Sequence, residues 1–209
     1  MVKKIVIGLV VVVVVLLGVI ASRPATFEVK RSLQMNAPPD VVYAHVVDFH
    51  EWAGWSPWDA MDPKMTKTYS GAATGVGAKY DWLGNPDTVG TGSMTIDEAK
   101  PAESIAITLE FKVPFPAKNK TNFTFTPAAG GTNVTWAMSG TNDFMGKAFS
   151  LVMNMDKMVG GDFEKGLATL KTHAEADAKK AADDKAAAEK AAADAAAAAA
   201  AAPADAGTP

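Results

Sequence analysis

The 209-residue sequence contains no cysteine, only three histidines, and 8% aromatic residues. Without cysteine the chain has no disulfide, no thiolate nucleophile and no cysteine-ligated zinc. His45, His50 and His173 are too few for a metal site or a general base built from several imidazoles. We therefore predict neither a metal site nor a cofactor, and the sequence identifies no catalytic residue.

An excess of positive charge is also missing. Lys and Arg total 20 against 23 Asp and Glu, which gives a formal net charge of -3. A non-specific nucleic-acid binder needs a basic surplus to displace counterions from phosphates. We therefore expect no nucleic-acid partner.

Motifs for nucleotide binding and acyl transfer are absent as well. Gly75-Val76-Gly77 lacks the third glycine of a dinucleotide loop, and neither G-K-[ST] nor G-x-S-x-G occurs. The glycine-rich stretches are instead typical of turns between strands.

One long apolar run is present, at residues 5–21. As a helix it would span about 25 Å, and Lys3, Lys4 and Arg23 can lengthen it by reaching the headgroups. Residues 1–25 are therefore predicted to form a membrane anchor. Because two lysines precede the run, the positive-inside rule places the rest of the chain on the extracytoplasmic, periplasmic side.

A cleaved signal peptide is the alternative interpretation of the same run. Val19-Ile20-Ala21 offers small residues where a signal peptidase reads, and cleavage there would leave Ser22 as the first residue. The run is longer than a usual signal-peptide core and has no polar break, which favours the uncleaved anchor. Both interpretations export the following domain.

Alanine dominates the other end of the chain, residues 174–209, which we interpret as a charged, Ala-rich tail. A semi-rigid solvated helix or a partly disordered spacer is expected, with Glu175 and Lys179 as a favourable i, i+4 pair. Pro203 is expected to end the helix and the last residues to fray. An arm that contacts a partner or the cell envelope is the alternative.

Residues 26–173 have the size of one domain. Alternating apolar residues predict a first strand through Phe27–Met35, two short helices follow over 40–49 and 51–58, and a helical apolar pattern runs from Asp143 for about 30 residues. Six further strands, separated by glycine and proline turns, are predicted at 65–69, 78–83, 92–98, 103–112, 120–126 and 132–140.

Local strings along residues 26–172 carry a family resemblance. They are Arg23-Pro24 with Phe27, Arg31-Ser32, Ala37-Pro38-Pro39 with Val42, Asp48 with Trp52, Trp55-Ser56-Pro57-Trp58, Asp62-Pro63, Tyr69-Ser70-Gly71, Gly75-Val76-Gly77-Ala78, Tyr80-Asp81-Trp82, Gly92 with Met94 and Ile96, and Thr132 to Trp136. With the element order, they resemble the SRPBCC superfamily of START-related and pollen-allergen-like helix-grip domains. The branch most similar is the bacterial polyketide cyclase/dehydrase-like one with an N-terminal membrane segment.

The resemblance implies an α+β helix-grip fold, in which an antiparallel curved β-sheet wraps around a long C-terminal helix and leaves a cavity between them. The apolar segment adds one N-terminal transmembrane helix. This fold hosts carriers, lyases and sensors, so the resemblance does not determine an activity.

Aromatic and methionine side chains are available to line the implied cavity, and such side chains suit an adaptable apolar pocket. Filling of the core is the alternative for each of them, and the spacing of Trp52, Trp55 and Trp58 by three residues is typical of packing on a helical turn. The predicted ligand-binding set is Trp55, Trp58, Tyr80, Trp82, Met94, Phe111, Trp136, Met138 and Met153, with Met145 on the same inward side.

Arg31 is the polar candidate, because it shares the inward phase of the first strand. A guanidinium in apolar surroundings needs a carboxylate or an anionic ligand head as partner. The hypothesis is that Arg31 orients the carboxylate or phosphate of a lipid-like ligand; the alternative is that the strand end or a bulge turns it to solvent. Asp81 and Glu110 are expected to face water, and His45 with Asp48 to form a solvated surface pair.

These patterns favour a membrane-tethered domain that binds a hydrophobic small molecule or lipid between the sheet and the C-terminal helix. A polyketide cyclase/dehydratase-like enzyme is the second possibility, which would need a buried acid or tyrosine facing the cavity. A protein-interaction or regulatory module with a filled cavity is the third.

Overall fold

Seven strands and six helices make up residues 2–201, the part of the chain that this computed structural model describes, with side chains to residue 199. The helices are α1 (Val2–Ser22), α2 (Pro39–Val47), α3 (Trp52–Trp55), α4 (Pro57–Met61), α5 (Phe144–Phe149) and α6 (Met155–Ala201). The strands are β1 (Thr26–Met35), β2 (Thr66–Gly71), β3 (Ala78–Leu83), β4 (Thr91–Lys100), β5 (Ser104–Val113), β6 (Ala117–Ala128) and β7 (Gly131–Thr141).

The strands form one antiparallel sheet in the order β1-β7-β6-β5-β4-β3-β2. Each strand from β2 to β6 pairs with the next one along the chain, while β1 closes the far edge against β7. Two register shifts in β4, at Thr91/Gly92 and Ile96/Glu98, are bulges that bend the sheet. The predicted α+β class is confirmed: a curved antiparallel sheet, a long C-terminal helix and an N-terminal apolar helix.

Helix α6 covers the inner face of the sheet with side chains spaced three or four residues apart. Phe163, Leu167, Leu170 and Ala174 on this stripe are each exposed by 1% or less. Phe163 stacks on Trp136 of β7, with ring centroids 4.1 Å apart and planes 7° from parallel. The core therefore lies between α6 and the central strands.

Tryptophan side chains fix the end of α2. The last carbonyls of a helix have no partner within the helix itself. Trp52 Nε1 donates to the carbonyl of Val46 at 3.0 Å, and Trp55 Nε1 donates to that of His45 at 3.0 Å. These two bonds tie the short aromatic helix α3 to α2.

Among residues 2–201, α1 is the helix long and apolar enough to cross a membrane. Its side chains are exposed except for Ile20. This finding fits a membrane span and a signal sequence alike.

The prediction of one helix from Asp143 onward was wrong. Residues 150–154 interrupt it, so that α5 ends at Phe149 and α6 begins at Met155. The cause is a second helix start: Asn154 Oδ1 accepts from the backbone N–H of Lys157 at 3.0 Å, as an N-cap does.

The expected tail boundary at residue 174 lies inside α6, which continues without a break to Ala201. Ala174 is fully buried, and Ala178 packs against the core. The predicted Glu175–Lys179 pair does not form, because Glu175 accepts from the backbone N–H of Asn36 at 2.7 Å and Lys179 pairs with Asp183. The predicted helix end at Pro203 lies outside the described residues.

His45 was wrongly expected in a solvated pair with Asp48. It is 8% exposed, and its Nε2 lies 3.1 Å from Asp177 of α6. Asp48 instead contacts the His50 ring at 2.7 Å. The contact of His45 depends on α6 passing over α2.

The glycines of α6 allow a test of how α6 sits on the sheet. A Cβ on Gly166 would lie 2.9 Å from Cζ3 of Trp136 and 3.1 Å from Pro57, whereas one on Gly161 would meet nothing within 4 Å. We expect Gly166→Ala to lower the free energy of unfolding by about 1 kcal/mol, because overpacking against a rigid ring exceeds the gain in helix propensity.

Gly161→Ala is the matched control and should raise the free energy of unfolding by about 0.5–1 kcal/mol. Urea titration of the full chain in detergent, followed by tryptophan fluorescence, measures both. Equal effects of the two substitutions would contradict the close contact at Gly166.

Candidate functional site

A cavity of about 160 Å³ lies between the sheet and the amino-terminal part of α6. Strands β3 to β7 supply one wall, and helix α6 with the α3–α4 segment supplies the other. Its lining is mainly aromatic, aliphatic and methionine side chains: Trp52, Ser56, Trp58, Asp59, Met65, Tyr80, Trp82, Thr88, Val89, Met94, Leu109, Phe111, Thr121, Trp136, Met138, Val159 and Phe163.

Seven residues of the predicted set line this cavity: Trp58, Tyr80, Trp82, Met94, Phe111, Trp136 and Met138. Strand alternation brings them together, since residues two apart in β3 and in β7 share the inner face. Tyr80 is paired with Met94 across β3 and β4, so these two side chains are neighbours on that face.

Three predicted residues lie elsewhere. Trp55 is 2% exposed but packs in the core, held by its bond to the carbonyl of His45. Met145 and Met153 are on the surface, 60% and 44% exposed. The break at residues 150–154 is the reason, because it turns this segment away from the inner face of the sheet.

Arg31 does lie on the inward phase of β1, but the structure does not place it in the cavity. Its Nε donates to Glu164 at 2.6 Å and its Nη1 to Asp156 at 2.8 Å, both on α6. Gly160 makes room, since a Cβ there would lie 2.1 Å from the guanidinium. The guanidinium therefore joins β1 to α6, and its hydrogen bond to Asp156, with its charge as a smaller cause, holds the pKa of Asp156 below the ordinary range.

Several lining residues were missed by the sequence analysis. Phe163 and Val159 belong to the apolar stripe of α6, and that pattern could have identified them. Asp59 gave no such signal, because it directly follows Trp58 in a helix of five residues. Its side chain is 10% exposed and pairs with Lys67, so one carboxylate borders the cavity.

Tyr80 supplies a hydroxyl to the cavity. Burial, together with neighbouring Tyr69, raises the pKa of Tyr80 well above its ordinary value, so the phenol stays protonated well into the alkaline range. Its one hydrogen bond among the described residues is to Met65 Sδ at 3.9 Å, a weak acceptor. The hydroxyl can therefore donate to a ligand.

Trp136 supplies a second donor. The residue is 1% exposed, and its Nε1 has no hydrogen-bond partner among the described residues. An unpaired buried donor costs free energy, which an acceptor atom on a bound molecule could recover. Trp52 and Trp82 are different, because their N–H groups donate to the carbonyls of Val46 and Val89.

Other charged groups lie away from the cavity. Asp81 contacts Lys79 at 3.0 Å, and Glu110 contacts Lys118 at 2.7 Å on the outer face of the sheet. The ion pair with Lys118 holds the pKa of Glu110 low. Within residues 2–201, no three His, Asp or Glu side chains come together as a metal site. The arrangement suits binding of a small apolar molecule with an acceptor oxygen.

Comparison with known proteins gives one family. The profile described as "Polyketide cyclase / dehydrase and lipid transport" matches residues 26–175. No curated protein matches the chain.

Solved structures give the same fold. A protein from Chromobacterium violaceum is 20% identical, with 73% of this chain and 99% of that chain covered and a TM-score of 0.51. A protein from Mesorhizobium loti is 17% identical, with 70% and 96% covered and a TM-score of 0.51. The di-domain ARO/CYC StfQ from the steffimycin biosynthetic pathway is 13% identical, with 74% and 52% covered and a TM-score of 0.55. At these identities the similarity concerns the fold alone.

The raised pKa of Tyr80 predicts a pH dependence of stability. Above about pH 10 the phenol ionises in the unfolded chain but not in the folded one. The contribution of the buried phenol to the free energy of unfolding is therefore complete below about pH 10 and is lost as the pH rises further. We expect the melting temperature of Tyr80→Phe to fall less steeply between about pH 9 and 11 than that of the unmodified chain. Thermal melts followed by circular dichroism at several pH values in this interval measure both slopes. Identical slopes in both proteins would contradict the assigned shift.

Proposed function

Because the chain belongs to the polyketide cyclase / dehydrase and lipid transport family, we propose that it binds a hydrophobic small molecule or lipid in this cavity and is tethered to a membrane by α1. The observation that carries the proposal is an apolar cavity between sheet and helix, with aromatic and methionine walls. Flexible methionines such as Met94 and Met138 let such a pocket adapt to its ligand.

The volume indicates the size of the ligand. A cavity of about 150 Å³ holds benzene, whereas pockets for drug-sized ligands begin at about 300 Å³. The 160 Å³ cavity therefore suits a single ring or the end of an acyl chain. The donors on Tyr80 and Trp136 favour a ligand that carries one acceptor oxygen.

The enzyme alternative has less support. Within the described part of the chain, Asp59 is the one carboxylate that lines the cavity, and it is already paired with Lys67. A polyketide-sized substrate would also need more room than 160 Å³. An interaction module with a filled interior is disfavoured by the cavity itself.

The membrane tether is proposed on the length and composition of α1. Lys3 and Lys4 before the apolar run support an amino terminus in the cytoplasm and a domain on the extracytoplasmic side. Export after signal cleavage is the alternative, and it would leave a mature chain that begins at Ser22.

Ligand binding can be measured with bromobenzene, a heavy-atom quencher of tryptophan emission. All five tryptophans lie in the domain, and four of them, all except Trp55, line the cavity. We expect saturable quenching in the full chain. Val159→Phe fills part of the cavity and should weaken apparent affinity about tenfold, which corresponds to about 1.4 kcal/mol.

Val76→Phe is the matched control, because Val76 is 58% exposed in the β2–β3 loop, remote from the lining. It should bind bromobenzene like the unmodified chain. In a second comparison, Tyr80→Phe should weaken binding of 4-bromophenol about fivefold through the lost hydrogen bond, without affecting bromobenzene. Linear, unsaturable quenching in all variants would exclude a binding cavity.

The tether predicts the form of the protein in cells. The protein should remain in the membrane fraction when membranes are extracted with alkaline carbonate. Intact mass spectrometry of that protein should give a mass that still includes residues 5–21. A mature chain that begins at Ser22 and is recovered in the soluble fraction would contradict the tether while leaving the cavity proposal untouched.

A further inference from the structure

An apolar patch is exposed beside the end of α1. We define it as Phe115 of the β5–β6 loop together with the exposed apolar side chains of residues 144–158. Val152 is 83% exposed and Phe115 is 67% exposed. The rings of Phe115 and Phe149 lie 5.7 Å apart, so the loop and helix α5 form one continuous surface.

The patch has little net charge. Residues 144–158 contain eight large apolar side chains and three charged ones, Lys147, Lys157 and Asp156, of which Asp156 is paired with Arg31. Soluble proteins rarely expose large contiguous apolar surfaces, and those that do use them for binding. An apolar surface that also carries lysines matches a membrane whose headgroups are anionic and whose interior consists of acyl chains.

Hydrogen bonds hold the patch next to α1. Lys147 Nζ donates to the carbonyl of Ala21 at 3.2 Å, and Arg23 Nη2 donates to the carbonyl of Ser150 at 3.2 Å. Ala21 is the last residue of the apolar run. Any bilayer that contains α1 must therefore have its surface at the level of the patch.

The cavity lies at the same end of the domain. Val159, which lines the cavity, directly follows Met158 of the patch. Phe111 is another lining residue, and the strand that carries it leads into the loop of Phe115. The patch thus adjoins the cavity as well as α1.

We propose that the apolar patch inserts into the outer part of the membrane leaflet that receives α1, so that the domain lies on the bilayer with its cavity next to the lipid. Val152 and its apolar neighbours enter the boundary between headgroups and acyl chains, while Lys147 and Arg23 bind lipid phosphates. The inference rests on the proposed tether, and it explains how a hydrophobic ligand could reach the cavity without crossing water.

The lack of cysteine makes the test direct. Val152→Cys places one thiol in the patch, and Ala129→Cys places one in the exposed β6–β7 turn at the opposite end of the sheet. Each full-length variant is labelled with an environment-sensitive nitrobenzoxadiazole dye and reconstituted into vesicles of phosphatidylethanolamine and phosphatidylglycerol. We expect a blue shift of emission at position 152 and loss of that emission when the lipids carry spin labels. The label at position 129 should show neither change.

Three results would overturn the proposal. In the first, the chain floats with the vesicles and resists carbonate, yet the label at position 152 emits as in water; the tether then stands and the patch does not bind lipid. In the second, the label is shielded but insensitive to spin-labelled lipid, so a second copy or another protein covers the patch. Release of the chain by carbonate together with a water-like label contradicts both the tether and the patch.

Discussion

The contact between Trp136 and α6 determines how closely the helix lies on the sheet. The indole stacks on Phe163 and on Phe123, and its six-membered ring reaches the backbone of Gly166. A larger residue at that position would hold the helix away. On the carboxyl side of this contact Leu167 and Leu170 are fully buried, whereas on its amino side Val159 borders the cavity. Tight packing in one half of the interface therefore accompanies open space in the other.

The walls of the cavity differ in rigidity. The indoles of Trp52 and Trp82 are fixed by hydrogen bonds to backbone carbonyls, which orient each ring in one direction. Met94 and Met138 have three rotatable bonds and no such restraint. The result is a cavity with fixed aromatic surfaces and adjustable thioether surfaces, and the hydroxyl of Tyr80 stands among them. A site of this kind selects ligands by thickness and apolarity more than by detailed outline.

Local patterns were sufficient to predict most of the fold. The alternation of apolar residues predicted β3 over 78–83 as observed, and the inward phase of β3 and β7 identified four lining residues, Tyr80, Trp82, Trp136 and Met138. The break before Met155 could also have been found, since Asn154 followed by Met155-Asp156 is a helix-start signal. The longer apolar pattern concealed it.

Contacts between distant segments could not be predicted in this way. Arg31 has the inward phase of β1, but phase does not reveal that Asp156 and Glu164 lie opposite it on α6. His45 meets Asp177 only because α6 continues past the end of the apolar stripe. Both residues are polar groups whose partner is more than a hundred positions away in the chain, so the sequence around them carries no sign of the pairing.

The continuity of α6 has a mechanical consequence. Its 47 residues span about 70 Å. The helix is held against Trp136 at Gly166, with Val159 about 10 Å toward its amino end and Ala201 about 52 Å toward its carboxyl end. A stiff rod held at that point is a lever with unequal arms. A tilt that shifts the cavity wall by a given distance swings the alanine-rich tip about five times as far in the opposite direction.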